Sequence, residues 1–112
     1  QVGEITLQVT APRIPCGTFA ARMNDPQWVK TFRHAERPGL YCRVIQEGLV
    51  KTGDPVSIER YAGETISIPE MFRDYYVKGK SEETLRRHLH APIAIRARRD
   101  LEKELLSLLS QS

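Results

Sequence analysis

Hydrophobic and polar residues alternate through the first part of the chain. Residues 4–10 place an apolar side chain at every second position, and this period of two predicts a half-buried strand. Similar runs predict strands over residues 40–47 and around residues 56–60. Between them, helical spacing predicts a helix over residues 26–36, with Asp25 as its N-cap. A sheet of three or four strands has exposed edges, so we expect another part of the protein to complete it.

The period changes from two to about 3.6 near Ser67. Ser67 and Glu70 form the pattern of a capping box, and Ser81 is placed to cap a second helix. A third helix carries one apolar face, made by Ala94, Ala97, Leu101, Leu105 and Leu108. The sequence therefore predicts three helices over residues 68–110, joined by tight breaks into a small bundle.

The 112 residues, of which 40% are hydrophobic and 28% charged, fit one folded domain with an extension and exclude disorder or low complexity. No apolar run approaches the roughly 18 residues that a membrane helix needs, and no signal peptide is visible. The chain starts without Met and enters a strand at once, so we expect that an N-terminal part is missing. Cys16 and Cys42 have no zinc-ligand spacing, which favours free thiols in the cytoplasm.

The net charge of +3 is mild and argues against nucleic acid as the main partner. The one dense basic run, residues 96–99, is followed at once by acidic residues, as in a solvated helix face. Arg96, Arg99 and Lys103 nevertheless recur at helical spacing opposite the apolar face. An alternative function is therefore a module that binds a protein or a nucleic acid through this basic stripe.

The segment Pro12-Arg13-Ile14-Pro15-Cys16 is the strongest candidate for chemistry. Two prolines stiffen it, and an arginine lies near the thiol, which favours the thiolate that acts as nucleophile or metal ligand. Such a sulfur could ligate a transition metal or carry a persulfide. A small buried cysteine under a strand end is the alternative. Alternation in the second strand makes Cys42 a core residue, and His88 and His90, two residues apart on a helix, do not predict a metal site.

Three segments resemble MOSC domains, which are similar to the C-terminal part of molybdenum-cofactor sulfurase. Residues 9–16 resemble the family pattern V-[TS]-x-P-R-x-P-C, residues 39–48 the pattern G-x-Y-x-R-V-x-x-x-G, and residues 48–56 the pattern G-x-V-x-x-G-D-x-V. The tail from Ser67 to about Leu106 is similar to the three-helix extension of YiiM-type bacterial proteins. The first half of the family pattern, with its Gly-Glu-Asn segment, is absent from this sequence.

The resemblance implies an α+β fold: half of a MOSC β-barrel over residues 1–66, then a three-helix (3-alpha) extension over residues 67–112. It further implies a molybdenum-pterin cofactor, and either the reduction of N-hydroxylated bases and amidoximes or the transport of activated sulfur. Pyridoxal phosphate binding is also implied for the family. The partner would be a protein that donates electrons or sulfur. A barrel half that binds no cofactor is the remaining option.

The same resemblance implies the site residues. Cys16 would be the catalytic residue and the metal or sulfur ligand, and Arg13 would pair with the pterin phosphate. YiiM-type members often carry a Lys where this chain has Thr18, and Arg22 could replace that basic contact. Arg43 would either face the cofactor pocket or form a salt bridge within the barrel.

Overall fold

The computed structural model describes residues 1–111; Ser112, the last residue of the expected extension, lies outside them. In chain order the elements are β1 Thr6–Pro12, α1 Gly17–Arg22, α2 Trp28–Ala35, β2 Leu40–Gln46, α3 Ile68–Tyr75, α4 Glu82–Leu89 and α5 Ile95–Ser110. The fold is mixed α+β, as expected, with a small sheet and a helical C-terminal part. None of the helices within residues 1–111 combines the length and the apolarity that crossing a membrane requires.

The sheet of the described chain consists of β1 and β2, which pair antiparallel from Thr6↔Gln46 to Pro12↔Leu40. An irregularity in the register between Val9 and Ala11 bends β1. Proline has no N–H to donate to a sheet, and β1 accordingly ends at Pro12. Two strands do not close a barrel, so the MOSC-type part is an open fragment of sheet.

The strand expected around residues 56–60 is absent, and that prediction was wrong. Val56 makes one isolated bridge to Val2, and Ile58 is 92% exposed. Backbone hydrogen bonds join Pro55 to Gly3 and Ser57 to Gln1 on either side of this bridge, but the pairing does not continue past Ser57, so the segment does not form a strand.

The N-terminal helices also differ from the prediction. The helix expected from residue 26 begins at Trp28, with Gln27 at its N-cap; the Asp25 carboxylate accepts the N–H of Gln27 at 2.9 Å in the turn that precedes the helix. The short helix α1 was not predicted at all. It has no acidic residue in its first turn and begins at a glycine, so the usual signals of a helix start are missing.

The expected helices α3, α4 and α5 are all present. The Ser67 hydroxyl accepts the Glu70 N–H at 3.2 Å, and the Ser81 hydroxyl accepts the Thr84 N–H at 3.2 Å, as N-caps do. The Glu70 carboxylate does not complete the capping box; it forms a two-pronged ion pair with Arg87 of α4. This pair ties α3 to α4.

The core lies in the helical part. Its buried hydrophobic residues are Met71, Phe72, Leu85, Ala91 and Ile93. Leu101 of α5, expected to be buried, is partly exposed but packs against the cluster of Met71, Ala91 and Ile93. The apolar face of α5 therefore covers this cluster, as its spacing predicts.

Hydrogen bonds fix the helical part to the strands. The Ala94 N–H donates to the Thr10 carbonyl at 3.2 Å, and the Arg43 guanidinium donates to the Ile93 carbonyl at 2.9 Å. The Thr10 hydroxyl donates to the Tyr41 carbonyl at 3.4 Å. These bonds set the start of α5 against the end of β1, next to the proline-rich segment.

Candidate functional site

Cys16 lies at the point where the proline-rich segment enters α1. Pro12 and Pro15 are buried, whereas Cys16 is exposed. Its backbone is extended, with φ −142° and ψ 174°, and it occupies the N-cap position of α1. The buried prolines hold the thiol in place while leaving it open to solvent. A cysteine buried under the strand end, the alternative raised by the sequence, is not what the structure shows.

The surroundings lower the pKa of the Cys16 thiol. The main cause is the Phe19 backbone N–H, followed by that of Thr18, while the Thr18 hydroxyl and the charge of Arg13 add smaller effects. Both N–H groups lie in the first turn of α1, where they favour the charged form of a sulfur at the N-cap position. The thiolate is therefore more populated at neutral pH than in an ordinary cysteine.

Arg13 stacks on the ring of Phe19 in α1, the helix that Cys16 precedes. Its guanidinium lies 4.2 Å from the centre of the Phe19 ring, a cation–π contact, and its backbone N–H donates to the Gly39 carbonyl at 3.3 Å. The Phe19 ring meets Trp28 edge to face at a centroid distance of 5.4 Å. Arg13 is thus held beside the Cys16 loop with its planar fork exposed.

The other two candidate arginines lie elsewhere. Arg22 is exposed at the last turn of α1, about 9 Å along the helix axis from Cys16. Arg43 lies on β2, where it donates to the Gln8 side chain at 3.3 Å and to the Ile93 carbonyl. The structure brings Arg13 and Cys16 together, and it gives Arg43 a role in joining the strands to the helices. Cofactor binding by Arg13, Arg22 or Arg43 stays a prediction.

An aromatic cluster connects α1 to the C-terminal helices. Phe19 packs against Phe32 at 5.3 Å, Phe32 against Phe72 at 6.2 Å, and Phe72 against Tyr76 at 5.6 Å between ring centres. Burial raises the pKa of the Tyr76 phenol. The aromatic cluster therefore packs α1, which follows Cys16 directly, against the buried Phe72 of α3 by way of Phe32.

Two of the three histidines lie beside carboxylates. His88 is buried, and its Nε2 lies 2.8 Å from the Asp74 carboxylate, whereas the exposed His90 lies 3.3 Å from Glu64. No group of three or more metal-ligating side chains occurs among residues 1–111. Cys42, half-buried on β2, is a free thiol.

The predicted basic stripe is exposed on α5. Arg96, Arg99 and Lys103 lie at its surface, but Asp100 and Glu102 lie between them. The stripe is therefore interrupted by acids, and its role in partner binding stays a prediction.

Sequence reasoning missed the two residues that act most on the thiol, Phe19 and Thr18. Thr18 was treated only as a departure from a family pattern. The run Phe19-Ala20-Ala21-Arg22 contains good helix formers and was the available signal for α1. Together, Cys16 and its neighbours make a fixed, solvent-open thiol of lowered pKa, with an arginine beside it. Such a group can ligate a soft metal or attack an electrophilic sulfur.

Comparisons with known proteins agree with the motif resemblance. The family model of the MOSC domain matches residues 1–57. No curated protein sequence matches the chain significantly. Among solved structures, YiiM from Geobacillus stearothermophilus has a TM-score of 0.81 at 29% identity, with 94% of this chain and 54% of that chain covered.

Two further structures share the fold. YiiM from Escherichia coli has a TM-score of 0.84 at 21% identity and covers 96% of this chain and 53% of its own. A hypothetical protein has a TM-score of 0.85 at 20% identity, with 96% and 49% covered. The chain thus spans about half the length of these structures. The MOSC match over half of the chain, together with the similarity to YiiM structures, shows that the chain belongs to the MOSC domain family.

Proposed function

We propose that this chain contributes Cys16 as the sulfur ligand of a molybdenum-pterin cofactor in a protein that reduces N-hydroxylated substrates. The observation that carries the proposal is the state of the Cys16 thiol. It is exposed, it follows a segment held by buried prolines, and its pKa is lowered. Membership of the MOSC family supports the choice of cofactor.

The residues around Cys16 fit such a cofactor in their chemistry. A thiolate is a soft ligand of the kind that transition metals of this class accept. Arg13 presents a planar guanidinium beside it, which suits the phosphate of a pterin. Exposed Arg22, at the other end of α1, adds a second positive charge to this helix.

The reaction would break the N–O bond of the substrate. Two electrons and two protons enter: one proton forms a new N–H bond on the nitrogen, and the other joins the hydroxyl group, which leaves as water. The cofactor, when bound, supplies the two-electron chemistry, and a separate electron-donor protein must restore it. This chain's own part is to hold the metal through Cys16 and to balance the phosphate charge through Arg13.

The test is metal and pterin analysis of the full-length protein, purified as wild type and as Cys16→Ser. We expect molybdenum and pterin in the wild type and loss of the molybdenum in the variant. Cys42→Ser, which changes the half-buried thiol, is the matched control and should keep the metal. Equal molybdenum in wild type and Cys16→Ser would contradict the proposal.

The same exposed thiol supports a second candidate, transport of activated sulfur. A Cys16 thiolate that attacks the terminal sulfur of a donor persulfide forms a new S–S bond and releases the donor thiolate. Intact-mass measurement after incubation with a persulfide donor should then show one added sulfur atom on the wild type, removed by a reductant and absent from Cys16→Ser. An unchanged mass would contradict sulfur transport by Cys16.

A further inference from the structure

A buried histidine lies in the wall of the large cavity between the strand ends and α5. This cavity has a volume of about 590 Å³, and Pro12, Ile14 and His88 are among the residues that line it. His88 belongs to α4 and is only 3% exposed. Ile14 precedes Cys16 by two residues. One cavity therefore connects the wall beside the thiol segment with an imidazole that is otherwise withdrawn from solvent.

The Asp74 carboxylate fixes this imidazole. Asp74 lies on α3, and its Oδ2 is 2.8 Å from Nε2 of His88. An ionised carboxylate only accepts, so Nε2 carries the hydrogen of this bond. Asp74 does not line the cavity, whereas His88 does, so the carboxylate holds the ring without covering the cavity wall. Nδ1 of His88 has no hydrogen-bond partner among residues 1–111 and is left to meet a ligand.

The pair has the chemistry of a proton donor. Histidine is the side chain that takes up and releases a proton near neutral pH, which makes it the most frequent general acid. When both ring nitrogens of His88 are protonated, the Asp74 carboxylate balances the charge of the imidazolium and keeps Nε2 in place. The proton on Nδ1 is then the one that can leave.

The other charged groups that line the cavity are less suited to this role. They are Lys80, between α3 and α4, and Arg96, Asp100 and Glu104 of α5. The Lys80 ammonium lies 3.7 Å from the Glu104 carboxylate. Ordinary lysine and arginine side chains keep their protons at neutral pH, and ordinary carboxyl groups have already lost theirs. His88 is therefore the group of this wall that can both give a proton and take it back.

We infer that His88 is the general acid of the reduction and that Asp74 is its positioning residue. The inference rests on the proposed function and adds the source of one proton. The electron-donor protein supplies the two electrons, and the N–O bond of the substrate breaks. The Nδ1–H bond of His88 breaks with it, and its proton joins the leaving hydroxyl group, which departs as water. Solvent supplies the proton of the new N–H bond and then reprotonates Nδ1.

The experiment compares His88→Gln with the wild type, both as full-length protein with bound cofactor. Benzamidoxime is the N-hydroxylated probe, and reduced methyl viologen is the electron source. We expect kcat of His88→Gln to fall about 100-fold or more, with KM changed less than about threefold, because a glutamine amide can donate to Asp74 but cannot transfer a proton. His90→Gln, an exposed change at the end of the same helix, is the control and should keep kcat.

Two further variants separate proton donation from support of the fold. Asp74→Asn should lower kcat about tenfold or more, because the imidazolium loses the charge that balances it. His88→Ala leaves space for a free ring beside the cavity. Added imidazole should raise kcat of His88→Ala to a saturating value. Pyrrole has the same shape but no basic nitrogen to carry the proton, and it should not raise kcat.

An unchanged kcat in His88→Gln, or equal recovery of His88→Ala with imidazole and with pyrrole, would overturn the inference. If His88→Gln lacks the circular dichroism spectrum of the wild type, Asp74→Asn decides, and a wild-type kcat in that variant overturns it. The two proposals fail separately. A wild type with bound molybdenum that reduces benzamidoxime no faster than His88→Gln contradicts the role of His88 alone. A wild type that holds no molybdenum, or does not reduce benzamidoxime, contradicts the proposed function and the role of His88 with it.

Discussion

The strand region, residues 1–66, and the helical region, residues 67–111, differ in how they use their apolar residues. Every buried hydrophobic core residue lies in the helical region. The strand region exposes many large apolar side chains, among them Leu7, Val9, Leu40, Val44, Ile45, Leu49, Val50, Val56 and Ile58. Both regions carry the hydrophobic pattern of their secondary structure, but only the helical region has a second layer against which to bury it.

The dimensions of the molecule reflect this difference. The radius of gyration is 16.5 Å, with extents of 53 × 40 × 18 Å. A compact chain of this length would have a radius of about 13 Å. The comparison teaches that the helical region supplies most of the packing energy, while the strand region presents the thiol segment and a broad apolar surface.

Removing a leucine from each region should break the comparison most clearly. Leu85 is fully buried in α4, so Leu85→Ala leaves a cavity and should lower the free energy of unfolding by about 2–5 kcal/mol. Leu49→Ala, at a site 82% exposed, should change it by no more than about 0.5 kcal/mol. Urea unfolding followed by circular dichroism measures both. Similar costs would show that the strand surface is buried in solution.

A buried and an exposed histidine–carboxylate pair, His88–Asp74 and His90–Glu64, compare the value of polar contacts in a packed and in a solvated setting. Asp74→Ala strands the buried His88 and should cost about 1–3 kcal/mol. Glu64→Ala breaks the pair with His90, whose side chains are 64% and 72% exposed, and should cost less than about 0.5 kcal/mol. The same unfolding measurement applies. The double variant Asp74→Ala/His88→Leu should regain stability relative to Asp74→Ala; no recovery would count against a buried, unpaired histidine as the cause.

Arg43 tests the connection between the regions. Arg43→Met removes the hydrogen bond to the Ile93 carbonyl and should cost about 1 kcal/mol. Amide hydrogen exchange should also rise at Ala94, whose N–H bonds across the same seam. Arg60→Met, an exposed change in the strand region, is the control. Unchanged exchange at Ala94 in Arg43→Met would show that the two regions are held together without this side chain.

The smallest expected effect on stability is at Cys16, where the effect of interest is chemical. Because its pKa is lowered, alkylation by iodoacetamide should rise with pH at a midpoint below that of the same thiol in the urea-unfolded chain, ordinarily about 8.5. Thr18→Pro removes one N–H donor and the hydroxyl at a helix position that accepts proline, so the midpoint should rise.

Arg13→Gln is the matched variant for this measurement. Arg13 contributes least among the groups that lower the pKa, so the midpoint should move less than in Thr18→Pro. A larger shift in Arg13→Gln would mean that charge, and not the backbone N–H groups, controls the thiol. A folded-state midpoint at or above the unfolded one would contradict the lowered pKa itself.

The sequence by itself determined the elements whose signals are local. Ser67 and Ser81 mark the starts of α3 and α4, because a hydroxyl at the N-cap satisfies backbone N–H groups of its own first turn. Alternation located β1 and β2, and the ordered motifs around Cys16 identified the MOSC family that the family match confirms.

Only the tertiary structure decided what depends on distant partners. The alternation around residue 58 predicts a strand, yet only an isolated bridge between Val56 and Val2 forms there, because the extent of pairing depends on a neighbour that sequence pattern cannot supply. The packing of α1 and α5 decides three features of the site: the exposure of Cys16, the stacking of Arg13 on Phe19, and the hydrogen bond from Arg43 to the Ile93 carbonyl. The cavity between the strand ends and α5 is likewise lined by residues far apart in the chain, Ile14 and Ala97 among them, whose approach is a property of packing and not of any local pattern.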